Sequence, residues 1–159
     1  HMERVDIGAL VAGLIAVRRE VGGAPAAELV YDGPSDGSLG VPGIAARLAQ
    51  VFNNLISNAL SFSPPGGEVV VRARREGRGV TIAVEDRGPG IPEGSEERIF
   101  ERFYSERPES EKFGTHSGLG LAISRQIVAA HGGTIRAENR RDESGRAVGA
   151  RFLVNLPAQ

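Results

Sequence analysis

Three amide side chains, Gln50, Asn54 and Asn58, stand four residues apart within a run of helical apolar spacing, so they share one helix face. Asparagine is a mediocre helix former because its side chain competes for backbone hydrogen bonds. Repeated along a helix, it marks either a solvated face or one with a chemical task. A task that suits it is holding Mg²⁺, a hard ion that keeps several waters and draws its remaining ligands from a protein oxygen or two and from phosphates. The Asn58 carbonyl oxygen is the candidate ligand. A second group, Asp86-Arg87-Gly88-Pro89-Gly90-Ile91-Pro92, directly follows a β-branched run. Alone it reads as a turn, since Asp, Gly and Pro favour turns for conformational reasons. The alternative is a carboxylate at a strand end that accepts the exocyclic amine of adenine, with Gly88 and Gly90 letting the backbone approach the base. The third group, Gly114 to Ile123, is rich in glycine and leads into a helical pattern, where unpaired N–H groups and a partial positive charge stabilise phosphate. Plain helix starts look the same, so this run is suggestive only in company. A Rossmann site is set aside because its glycines follow an early strand, whereas a long irregular segment precedes these. A P-loop is excluded by the absence of a G-x-x-x-x-G-K-S/T run.

The elements that must position these groups are read from periodicity and breakers. Apolar spacing predicts a helix from Val5 to Val21, stopped by Gly22 and Gly23, then a strand over Glu28 to Asp32 and loop from Gly33 to Gly43. A second helix is predicted between Ile44 and Phe62, ended by Ser63-Pro64-Pro65-Gly66-Gly67. Two strands, Glu68 to Arg74 and Val80 to Glu85, form a hairpin across Glu76-Gly77-Arg78-Gly79. Asp86 to Ser117 is too long for an ordinary loop and carries one apolar island, Ile99 to Tyr104, which reads as a functional lid. A third helix from Leu119 to Ala130 is closed by His131-Gly132-Gly133, and strands Thr134 to Glu138 and Ala147 to Leu156 follow. Helices followed by hairpins favour an α+β sandwich over a doubly wound parallel sheet.

Composition bounds the function. With 159 residues, 40% of them hydrophobic, the chain fits one domain with its own core. Its 19 basic and 20 acidic residues leave a net charge of -1, which argues against nucleic acid as a partner. There is no cysteine, so disulfides and thiolate metal sites are excluded, and three histidines, one of them His1, make a histidine-rich zinc site a poor expectation. No apolar run approaches the ~20 residues of a membrane span, and the start has no basic-then-apolar leader. No membrane contact is therefore expected of this chain. His1-Met2 reads as a cloning remnant.

Taken in order, the motif runs resemble the N, G1, F and G2 boxes of the ATP-binding catalytic domain of bacterial sensor histidine kinases. That domain is part of a wider ATPase group with gyrase, the heat-shock-90 chaperones and mismatch-repair ATPases. The N box is Gln50 to Pro64, the G1 box Asp86 to Pro92, the F box Phe100-Glu101-Arg102-Phe103-Tyr104, and the G2 box Ser117 to Ile123, running on to Gly133. The likeness covers Val5 to Pro157, a domain of residues 3–157 with a lid at about 91–117. Phrases such as Asn58-Ala59-Leu60-Ser61-Phe62-Ser63-Pro64 look most like the ChvG/ExoS sensor kinases of alphaproteobacteria. The resemblance implies the Bergerat fold, a two-layer sandwich with three main helices on one face of a mixed, mostly antiparallel sheet and a flexible ATP lid.

It implies, too, that ATP or ADP is held by Asn54, Asn58, Phe62, Asp86, Gly88, Gly90, Ile91, Phe103, Tyr104, Lys112, Ser117, Gly118, Leu119, Gly120 and Leu121, with Asp86 on adenine. Asn58 would bind Mg²⁺, and Asn54 and Asn58 would be the catalytic pair. In hydrolysing relatives a glutamate one helical turn before the metal-binding asparagine is the general base; Asn54 stands there, and an amide cannot serve. The expected reaction is phosphoryl transfer to a histidine on a separate dimerisation domain and onward to a response regulator of the OmpR type. That fits the cytoplasmic portion of an inner-membrane sensor, and the isolated chain would be a monomer. No H-E-x-R-T-P-like segment is present, so the chain would bind ATP without phosphorylating itself. The family's usual lysine is replaced by Ser61, its frequent arginine by Ser105, and its common Thr or Ser by Ala150. Arg102, Arg107 and Lys112 are the candidates to supply the missing charge. These departures keep two other readings open: a degenerate nucleotide-sensing or docking module, and a serine kinase of the anti-sigma type.

Overall fold

The β-branched run Val80-Thr81-Ile82-Ala83-Val84 lies at the centre of the sheet, where nearly every residue of it is buried. In a computed structural model of the chain, which describes residues 2–21, 27–102, 104 and 119–158, the elements run β1 (Glu3–Asp6), α1 (Ile7–Val21), β2 (Glu28–Asp32), β3 (Gly40–Gly43), α2 (Ala45–Phe62), β4 (Glu68–Glu76), β5 (Gly79–Glu85), a 3-10 turn (Arg98–Phe100), α3 (Gly120–Ala130), β6 (Thr134–Arg141) and β7 (Ala147–Pro157). The main sheet has the order β2-β4-β5-β7-β6. β2 and β4 are parallel, and the other pairs are antiparallel. Gly77, with φ 61°, closes the β4–β5 hairpin in a conformation that other residues resist.

α2 buries Leu48, Val51, Phe52, Leu55, Ile56 and Ala59 in one core with Val69, Val71, Ile82, Val84, Phe152 and Val154 of the sheet. Its amide-bearing side is left for other contacts. The helices and the mixed, mostly antiparallel sheet form the expected α+β sandwich.

Two segments depart from the periodicity. The helix expected from Val5 begins at Ile7, because Glu3–Asp6 is a strand paired with Gly40–Gly43, a stretch expected to be loop. Four residues are too few for alternation to register, and Gly40-Val41-Pro42-Gly43 has the composition of a turn. Val5 and Val41 face each other in register, both buried, and that packing decides the pairing. Pro42 is tolerated because, among the described residues, each strand of this small sheet pairs on one side only.

The helices are tied by side chains reaching between them. The Arg18 guanidinium of α1 donates to Ser57 Oγ at 2.6 Å and to the Asn53 carbonyl at 3.2 Å on α2. His131, just after α3, accepts the Ile44 N–H on Nε2 at 3.1 Å while its Nδ1 faces the Ile127 carbonyl at 2.8 Å. The tautomer these partners require carries its hydrogen on Nδ1.

Candidate functional site

Asn54, Asn58 and Phe62 follow one another at intervals of four along α2 and so lie on one face. Both ends of this face meet other elements. Asn54 Nδ2 lies 3.3 Å from Ser124 Oγ and 3.4 Å from the Gly120 carbonyl, which brings it to the start of α3. At the other end, a Cβ on Gly88 would stand 2.6 Å from the Phe62 carbonyl oxygen, so the loop after β5 rests directly on the last turn of α2. The Arg87 N–H also reaches Ser63 Oγ at 3.5 Å. Asn58, between these two contacts, is half-buried, and among the described residues its amide makes no side-chain hydrogen bond. Ser61 donates to the Asn58 backbone carbonyl at 2.7 Å.

Asp86 stands where the central strand ends. Its Oδ1 accepts the Gly88 N–H at 2.9 Å and the Ala150 N–H at 3.0 Å, and its own N–H donates to the Ala150 carbonyl at 3.0 Å. Burial pushes the carboxyl above the usual aspartate range, although the amides of Ala150 and Gly88 and the charge of Arg140 pull the other way. Gly149 is required beside it, since a Cβ there would overlap the Asp86 carbonyl oxygen. Ala150 thus acts through its backbone, which no side-chain motif would reveal.

The loop ends at Ile91, which is buried. Asn139 of β6 accepts the Ile91 N–H on Oδ1 at 2.6 Å and donates from Nδ2 to the Ile91 carbonyl at 2.9 Å. Further on, Ile99 and Phe100 are buried, Phe100 edge-on to Phe152 at 6.2 Å, with Arg125 of α3 stacked over its ring at 4.6 Å and bonded to Glu97 at 2.9 Å. Tyr104 is half-buried beneath Arg98. At the start of α3, Leu119, Gly120 and Leu121 are half-buried, and no side chain among the described residues caps the helix. Phe103, Ser105, Arg107, Lys112, Ser117 and Gly118 lie outside the described residues.

Residues 43–159 match the model of the histidine kinase-, DNA gyrase B- and HSP90-like ATPase family. The chain belongs to this family. It is 46% identical over 163 residues to the sensor protein ChvG of Rhizobium meliloti, covering 98% of this chain and 28% of that protein. Among solved structures of the family, the mycobacterial sensor histidine kinase MprB superposes with a TM-score of 0.82 at 30% identity, covering 100% of this chain and 99% of that one. Full-length ShkA in complex with AMPPNP matches with a TM-score of 0.77 at 26% identity, covering 98% of this chain and 31% of that one. The family read from the sequence and the α+β sandwich therefore agree with these comparisons.

Three residues near the family's motifs escape sequence reasoning. Asn139, Arg140 and Gly149 belong to strands and approach Asp86 and Ile91 only through the fold. The strand expected to end at Glu138 runs on to Arg141, so Asn139 and Arg140 stand beyond the predicted element and no sequence signal points to them.

Proposed function

We propose that this domain binds Mg-ATP against the amide face of α2 and donates the γ-phosphoryl group to a histidine on a separate dimerisation domain, from which it passes to an OmpR-type response regulator. The observation that carries the reading is the convergence on α2: the loop from Asp86 rests on Phe62 at one end of the Asn54–Asn58 face, and the start of α3 meets Asn54 at the other. A buried carboxylate with one oxygen held by two backbone amides has a fixed direction, and its second oxygen suits an exocyclic amine. Gly88, Gly90 and Ile91 form the adjoining backbone, with Phe62 and Tyr104 as apolar neighbours for the base. The first amides of α3, Leu119 to Leu121, suit phosphate, and Phe103, Lys112, Ser117 and Gly118 would complete the contacts. AMPPNP in ShkA, an ATP analogue, supports the same ligand class.

The residues present fit Mg²⁺. Asn58 offers one half-buried neutral oxygen, and the described residues contain no cluster of three or more His, Cys, Asp or Glu. Such a site suits an ion that takes its other ligands from water and phosphate. When bound, it would neutralise phosphate charge. Asn54 turns its N–H toward α3 and cannot take a proton from water, so the phosphoryl group is kept for the histidine acceptor. Positioning and charge neutralisation are then the domain's contribution. The setting is the cytoplasmic side of an inner-membrane sensor, with the isolated chain monomeric. Among the described residues no helix is long and apolar enough to cross a membrane.

Calorimetric titration with MgADP tests the binding step. Saturable binding that weakens at least about tenfold in Asp86→Asn is expected. A chain that binds no nucleotide would favour the docking-module reading, for which Ser61 speaks, since its hydroxyl is bonded to the helix backbone where the family carries a lysine. With γ-labelled ATP, stable label should appear on an added histidine-bearing domain and not on this chain. Label on an added serine substrate instead would point to the anti-sigma type.

A further inference from the structure

Successive residues of a strand point to opposite faces of the sheet. Asn139 shares the helix-covered face of β6 with buried Ile135 and Ala137, whereas Arg140 shares the outer face with Arg136 and Glu138. From the helix side, Asn139 makes the two bonds to Ile91, 2.6 and 2.9 Å, that a neighbouring strand would make to its backbone. From the outer side, Arg140 Nη1 donates to the Asp86 carbonyl at 2.8 Å. Between the two held residues lie Arg87 to Gly90, the backbone proposed to face the base. We propose that Asn139 and Arg140 are positioning residues for base recognition, pinning the two ends of the Asp86–Ile91 loop from opposite faces of the sheet. This rests on the reading that a nucleotide binds there.

The surroundings are shaped around both pins. Gly90 adopts φ 87°, and a Cβ on it would stand 2.6 Å from Asn139 Oδ1, so the tight approach needs glycine. A Cβ on Gly149 would lie 3.1 Å from Arg140 Nη1 and overlap the Asp86 carbonyl oxygen, so glycine clears the path of the second pin. Among the described residues Arg140 Nε is buried without a hydrogen bond, its distance to Glu85 Oε1 being 3.9 Å. The guanidinium therefore reaches the Asp86 backbone at the expense of a closer ion pair with its neighbour, which is unfavourable unless the loop contact compensates. A carboxylate recognises an amine only when its direction is fixed, and pins at both ends of a glycine-containing loop supply that fixity.

Base discrimination separates this role from a merely structural one. The chain, Asn139→Ala and Arg140→Ala are titrated with MgADP and with MgIDP, whose hypoxanthine carries a carbonyl where adenine has its amine. The wild type should prefer ADP. In Asn139→Ala, ADP affinity should fall about tenfold, equivalent to ~1.4 kcal/mol, with IDP affinity changed far less, so that the preference narrows. Asn139→Asp should not restore it, because a carboxylate would face the Ile91 carbonyl. Arg140→Ala should narrow the preference too, and Arg140→Lys, which keeps a donor for the Asp86 carbonyl, should recover part of it. If Asn139→Ala does not fold, the Arg140 pair decides alone. Unchanged ADP preference in the folded variants, or equal loss for both nucleotides, overturns the inference. A wild-type chain that binds neither nucleotide overturns the proposed function itself, whereas wild-type binding with unaltered variants overturns only the pinning.

Discussion

A carboxylate that is 2% exposed loses most of its hydration, and two backbone N–H groups on one oxygen offset only part of that loss. Asp86 is in that position: burial holds its folded pKa above the ordinary value despite the amides and Arg140. A group raised on folding adds stability below its unfolded pKa and forfeits it as pH rises through the folded value, so above that value the ionised Asp86 is a net cost. Asp86→Asn keeps an oxygen for Gly88 and Ala150 and removes the charge. In urea denaturation without nucleotide, Asp86→Asn should be as stable as the wild type or more so at pH 8, with the difference shrinking toward roughly pH 4. A loss of more than about 1 kcal/mol at pH 8 would refute this account. The same variant should bind ADP poorly, so that stability and function part company at one residue.

Helix α2 carries the amide face, and its direction depends on contacts at its two ends. At the first, the Ile44 N–H precedes the helix and finds its acceptor in His131, which stands just beyond α3. One imidazole thus joins the start of α2 to the end of α3, the two helices that flank the proposed site. His131→Ala should remove this link, leave the Ile44 N–H without its partner and open a gap beside Gly43. A loss of about 2 kcal/mol in urea denaturation is expected. ADP affinity should fall as well if the relative placement of α2 and α3 matters. An unchanged unfolding midpoint would show that water replaces the ring at no cost. At the far end, Ser63 caps α2 through its backbone and the Gly88 loop covers the last turn, so the same residues that end the helix hold the Asp86 segment.

Across the molecule, the outer face of the sheet is a charge ladder. Glu85 is paired with Arg151 at 2.8 Å and Arg72 at 3.4 Å, Arg151 also holds Glu138 at 2.8 Å, Arg136 bonds Glu138, and Arg72 bonds Asp32. Burial, the largest single influence on Glu85, would raise its carboxyl, but the hydrogen bond and charge of Arg151 together with Arg72 outweigh it and hold the group below the usual range. Its contribution is therefore present above the ordinary glutamate pKa and is lost as pH falls through the lowered folded value. Glu85→Gln should cost about 1–2 kcal/mol at pH 7, since it removes the charge that Arg151 and Arg72 share while leaving Glu138 to the first and Asp32 to the second. The gap from wild type should close as pH is lowered below roughly 4. A gap that stays constant with pH would mean that packing, and not charge, is what Glu85 supplies.

Much of this architecture is legible in the sequence because the signals are local. The apolar spacing of α2 and α3, the hairpin of β4 and β5, and the contiguous run at Asp86 each lie within one element or one turn, where side-chain type dictates backbone geometry directly. That Asn54 and Asn58 share a face follows from helix geometry alone. Other features wait for the chain to close on itself. Ile91 meets Asn139 across 48 positions, Asp86 meets Ala150 across 64, and Ile44 meets His131 across 87. The β1–β3 pair and the parallel β2–β4 pair are of the same kind. Backbone N–H and C=O groups are alike at every residue, so their partners are chosen by which strands the buried core brings side by side, and that choice exists only in the tertiary structure.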